Sequence, residues 1–103
     1  MKEVINGLLY DTDAATRIFS AESEPDTARV FQWSATLYRT ESGNYFAAGS
    51  GGALSMFSKP SSAGAVGTES ILPLSEDDAY EAAEIYLPLE DLAKYFPSRV
   101  RPA

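Results

Sequence analysis

The stretch TLYRTESGNYFAAGSGGALS, residues 36–55, restricts the fold more than any other part of the chain. In ARVFQWSATLYRT, which leads into it, Phe31, Trp33, Ala35 and Leu37 alternate with Gln32, Ser34, Thr36 and Tyr38. A period of two is that of a strand with one buried and one wetter face. ESGN then supplies residues that tolerate positive φ, and NYFAAG returns with Tyr45 and Phe46 directed to opposite faces. Two such runs around a turn predict an antiparallel hairpin.

The glycines that follow, GSGG at 49–52, invite comparison with a phosphate cradle. A Walker-type loop needs Lys and Ser/Thr at fixed spacing, whereas ALSM follows here and the next lysine is Lys59. A dinucleotide fingerprint needs a third glycine where Leu54 stands. The segment is therefore read as a turn or bulge leading out of the hairpin, with ALSMFS (53–58) as a further strand. KPSSAGAVGT has small residues and no apolar period, and predicts a mobile loop over about 58–69.

At the amino end, Asn6-Gly7 inside VINGLLYD signals a turn, giving either a tight hairpin or one short interrupted strand. Asp11 or Asp13 could cap a short helix through Ala14, Ala15 and Ile18. AESEPDT (21–27) reads as a loop. Near the carboxyl end, ESILPLS predicts a strand at Ile71-Leu72 that Pro73 keeps out of a central position. Ser75, followed by Glu76, Asp77 and Asp78, starts the strongest helix, with Ala79, Ala83, Tyr86 and Leu87 on its apolar side. Pro88 interrupts it. Leu89, Leu92, Ala93 and Phe96 then share the inner side of a second helix that Pro97 ends, leaving residues 98–103 as a frayed basic tail.

Strands first and helices last predict an α+β fold: one domain over 1–103, with a small antiparallel sheet, a central hairpin, and C-terminal helices packed on its apolar face. No apolar run approaches the length of a membrane span, and MKEVINGLLY lacks the pattern of a secretory signal, so the expected location is cytoplasmic.

The chain has neither cysteine nor histidine. Disulfides, thiolate chemistry, cysteine–histidine zinc sites and imidazole bases are thereby excluded, while an oxygen-only Mg²⁺ or Ca²⁺ site stays open. YDTD is not the start of an EF-hand, because the glycine and terminal glutamate are missing at their offsets. Fifteen acids against eight bases give a net charge of −7. Phosphate backbones repel such a chain, so no direct nucleic-acid binding is expected; the fitting partner is a protein with a basic surface. The candidate partner-binding residues are Asp77, Asp78, Glu81 and Glu84 on the helix, with Tyr38 and Tyr45 as aromatic anchors on the hairpin. No catalytic residue, cofactor or metal ligand is assigned.

INGLLYDTDAA, LYRTESGNYFAAGSGGALS and ILPLSEDDAYEAAEIYL together resemble a family of small acidic bacterial proteins found around prophages and other mobile elements. The likeness spans about two-thirds of the chain in order. It departs at Ala82, where such relatives often carry Trp, and at SMF after the glycines, where S-K-Y is common. The resemblance implies a non-enzymatic inhibitor of host defence, similar to anti-CRISPR proteins. The alternatives are an immunity- or antitoxin-like partner of one basic protein, and a carboxylate enzyme using a divalent metal.

Overall fold

The computed structural model describes residues 1–52, 55–57, 59–61, 64–66 and 69–103. The chain is α+β: an N-terminal hairpin, a four-stranded antiparallel sheet and two C-terminal helices.

Strands β1 (Lys2–Ile5) and β2 (Leu8–Asp11) pair through the Asn6-Gly7 turn, so the hairpin reading holds. Asn6 lies at φ 52° and Gly7 at φ 80°, the two positive values that a two-residue turn matching strand twist requires. The α-amino group closes the open end by donating to Thr12 Oγ1 at 2.9 Å.

No helix follows. Asp11 Oδ1 accepts the N–H of Asp13 at 3.0 Å and the Asp11 carbonyl accepts the N–H of Ala14 at 3.2 Å, making a tight turn. The chain then enters β3 (Thr16–Glu22), which corrects the capped-helix expectation. Both features suit the residues: aspartate can bond its own backbone two residues on, and a β-branched and aromatic run packs well on a pleated surface.

Residues Arg29–Phe31 form a 3-10 turn, so the long strand starts only at Trp33, and Phe31 is exposed rather than facing a core. Strand β4 (Trp33–Arg39) pairs with β3 on one side and with β5 (Tyr45–Gly51) on the other, joined by a loop in which Gly43 takes φ 93°. Residues Ser55–57 make a turn rather than strand, and the rest of the expected 53–58 strand lies outside the described residues. Within the segment read as a structureless loop, β6 (Lys59–Ser61) and β7 (Gly64–Val66) pair as a two-stranded ribbon. Strand β8 (Glu69–Leu74) completes the sheet in the order β3-β4-β5-β8, at the edge where Pro73 needs no ladder donor.

Helix α1 (Glu76–Tyr86) and helix α2 (Leu89–Tyr95) cover one sheet face, where Ile18, Leu37, Tyr45, Ala79, Ala83 and Phe96 are buried together. The N-terminal hairpin packs on the other face, where Tyr10, Phe46, Ala48 and Ile71 are buried. β5 is thus covered on both sides, and residues 45–48 are buried one after another instead of alternately.

Candidate functional site

Helix α1 begins where Ser75 Oγ accepts the N–H of Asp78 at 3.1 Å, as the sequence predicts. Such a cap contributes about 1 kcal/mol. Glu76, Asp77 and Asp78 occupy the first turn, where the free N–H groups favour negative charge. Ala79 and Ala83, four residues apart, are both fully buried, and their small side chains let the helix axis lie close to the sheet. The outward side is left to Asp77, Asp78, Glu81 and Glu84, all exposed.

Asp77 is already engaged. Arg99 Nη1 donates to Asp77 Oδ1 at 2.8 Å, Arg99 Nη2 donates to the same oxygen, and the guanidinium lies 5.0 Å from the centre of the Tyr80 ring. The tail expected to fray from residue 98 is therefore held against α1 through Arg99; Arg99 and Val100 are half-buried, while Ser98 and residues 101–103 are exposed. The unneutralised part of the acidic face is Asp78, Glu81 and Glu84.

Two residues that the sequence does not assign to the site lie exposed at the carboxyl end of this helix and just beyond it. Ile85 is 73% exposed and Leu89 is 71% exposed, one at the end of α1 and the other at the start of α2. Ile85 follows Glu81 by one helical turn and so sits beside it on the surface. Leu89 was expected to face the core together with Ala93; both instead point to solvent, and Leu92, Tyr95 and Phe96 carry the packing of α2. The cause is the Pro88 junction, which restarts the helix in a new direction and breaks the phase of the apolar stripe. Ile85 had a legible signal, an apolar residue in the middle of an acidic stripe.

Tyr80 stands at the border of this surface. Its phenol is held above the ordinary value of 10.0, first because partial burial disfavours the phenolate, then because Glu84 repels that charge and accepts the O–H; Arg99 pulls the other way. A phenol raised in the folded state stabilises the fold below pH 10.0 and loses that contribution as pH climbs through the folded value. The stability advantage of wild type over Tyr80→Phe is therefore expected to shrink above about pH 10 in urea melts. An advantage that grows with pH would contradict this environment.

The hairpin tyrosines do not complete the site. Tyr45 is buried at 6% exposure and stacks on Phe96 at 5.5 Å, so it is part of the helix-side core and cannot anchor a partner. This corrects the expectation of Tyr45 as an anchor: its ring lies on the sheet face that the C-terminal helices cover. Tyr38 is half-buried on the opposite sheet face, stacked on Phe46 at 5.1 Å. The two rings face away from each other, and neither shares a surface with Glu81 and Glu84.

Gly49 and Gly51 lie inside β5 rather than in a turn linking strands. At Gly52 an added Cβ would lie 2.6 Å from the Val30 carbonyl carbon, so the glycine permits close approach of two backbones. An open cleft of about 670 Å³ runs along this end of the sheet, lined by Glu22, Glu24, Arg29, Trp33, Ser50 and Glu69. Among the described residues no group of three or more His, Cys, Asp or Glu is placed to hold a metal ion. Among the same residues no helix is long and apolar enough to cross a membrane. No family model, curated protein or solved structure matches the chain.

Proposed function

We propose that this chain is a non-enzymatic binding protein of the anti-CRISPR kind, which blocks a basic surface of a host nucleic-acid-handling defence complex. One observation carries the reading: Asp78, Glu81 and Glu84 stand exposed beside Ile85 on a helix that Ala79 and Ala83 fix rigidly to the sheet. Carboxylates at helical spacing meet Lys and Arg side chains that would otherwise contact phosphates. Their charge, added to the net −7 of the chain, accelerates encounter with a cationic groove. Ile85 and Leu89 supply the desolvated contact that slows dissociation, the role the prediction had given to Tyr38 and Tyr45. The partner is a protein, and binding weakens as salt screens the exposed charges.

The test is phage plaquing on bacteria carrying individual CRISPR types, with the chain co-expressed. Wild type is expected to restore plaquing against at least one type. The Glu81→Lys/Glu84→Lys protein, folded to the same melting temperature within a few degrees, is expected to lose that protection. Equal potency of the reversed-charge protein, or no protection against any type, would remove the proposal.

A further inference from the structure

The two edges of the four-stranded sheet are treated differently. On β8, the N–H of Ile71 turns away from β5 and donates to Glu3 Oε2 of the N-terminal hairpin at 3.2 Å. Two residues on, Pro73 faces the same way by strand alternation and has no N–H to offer. That edge is closed to a further strand.

The edge formed by β3 is not. Ser23 N–H donates to the Trp33 carbonyl at 2.9 Å, so Ser23 and, by alternation, Ala21 and Phe19 direct their backbone groups toward β4. The amides and carbonyls of Ser20 and Glu22 therefore point outward. Among the described residues nothing bonds to them, and β3 is the last strand of its sheet. Unpaired edge groups of this kind are a template for another strand, and natural sheets usually blunt them.

The side chains say which strand fits. Arg17 pairs with Tyr38, Ser20 with Thr36 and Glu22 with Ser34, so Arg17, Ser20 and Glu22 lie on one face of β3. The register shift between Arg17 and Phe19 leaves Ile18 as the extra residue, and Ile18 and Phe19 both pack on the helix side, so Arg17 occupies the next pleat position after Phe19. Antiparallel pairing of β3 with another β3, centred on Ser20, then sets Arg17 of each copy opposite Glu22 of the other. The same register sets Phe19 opposite Ala21 on the helix side, twice. Phe19 already packs against Tyr86 at 5.6 Å, and Tyr86 is 47% exposed, so an apolar shelf waits on that side. The strand is complementary to itself in backbone, charge and shape, as a two-fold interface requires.

We infer that β3 is a homodimerisation edge: two copies join through it into one continuous sheet of eight strands. The surface is distinct from the acidic face of α1 and does not rest on the proposed function. The net charge of −7 on each copy opposes association, so the dimer is of moderate affinity and its population depends on concentration.

Analytical ultracentrifugation of the full chain, from micromolar to near-millimolar concentration, reads this directly. Wild type is expected to pass from monomer to dimer. Arg17→Glu and Glu22→Arg are each expected to weaken dimerisation about tenfold, since two cross-strand pairs turn from attraction to repulsion. An equimolar mixture of these two variants restores opposite charges at both positions and is expected to recover a heterodimer of wild-type strength. Ser20→Pro, which removes an outward N–H, is expected to be monomeric throughout. Should that proline disturb folding, as judged by circular dichroism, the charge-mixing result decides alone. A wild type that stays monomeric at every concentration, as it would if the edge served only a foreign extended peptide, overturns the inference. So does a dimer indifferent to both charge changes.

Discussion

Phe46→Ala is expected to lower the unfolding free energy by about 4 kcal/mol, the range seen when a large buried ring is cut back to a methyl group. Phe46 has no exposed surface, stacks on Tyr38 at 5.1 Å and meets Tyr10 edge-on at 5.3 Å. Its ring is the joint between the N-terminal hairpin and the sheet, so truncation leaves a void with rigid walls: β5 is paired on both sides and cannot collapse inward. Domains of this size have a total stability of about 5–15 kcal/mol, so the variant should sit near the folding threshold. Urea titration followed by Trp33 fluorescence measures the change as a fall in midpoint at constant slope. A cost under about 1 kcal/mol would mean that the hairpin is not packed as described.

Gly49→Ala is expected to cost about 2–3 kcal/mol, although alanine normally favours an extended strand over glycine. A Cβ at this position would stand 2.8 Å from Ala35 Cα and closer still to the Ser34 carbonyl oxygen. Both are backbone atoms of the adjacent strand, so no rotamer change can make room and the β4–β5 spacing itself must give. Gly7→Ala is the informative comparison. Nothing lies within 4 Å of its added Cβ, but its φ of 80° strains any L side chain. That strain is expected to cost about 1 kcal/mol. Thermal melts of the two variants should rank Gly49→Ala as the more damaging; the reverse order would show that β5 has slack beside Ala35.

Much of the architecture is written locally. Asn6-Gly7, the Gly43 turn, the Ser75 cap, the edge position of the strand that holds Pro73 and the break at Pro88 all depend on what a single residue can do with its own φ or its own N–H, and each is found where expected. The alternation in WSATLYR likewise reads directly as a strand. The missed helix near Asp11 shows the limit of such signals. An aspartate that can cap a helix can equally close a turn, and the choice belongs to the strand pairing available to the residues after it.

The candidate site divides in the same way. Asp78, Glu81 and Glu84 are predictable, because a helix capped at Ser75 with Ala79 and Ala83 buried can only turn them outward. The loss of Tyr45 to the core, the neutralisation of Asp77 by Arg99 and the exposure of Leu89 are not predictable from spacing.

Local chemistry thus settles where this chain bends, caps and alternates, since those choices involve neighbours within a few residues. Which of two equally apolar rings is covered is decided only when distant elements arrive. Tyr45 is buried because α2 crosses it and Phe46 because the first hairpin lies beneath it, contacts between segments tens of residues apart. The same arrival closes the β8 edge with Glu3 and leaves the β3 edge open. Burial is a property of the assembled layers, and a pattern read along one strand contains no information about what will come to rest on it.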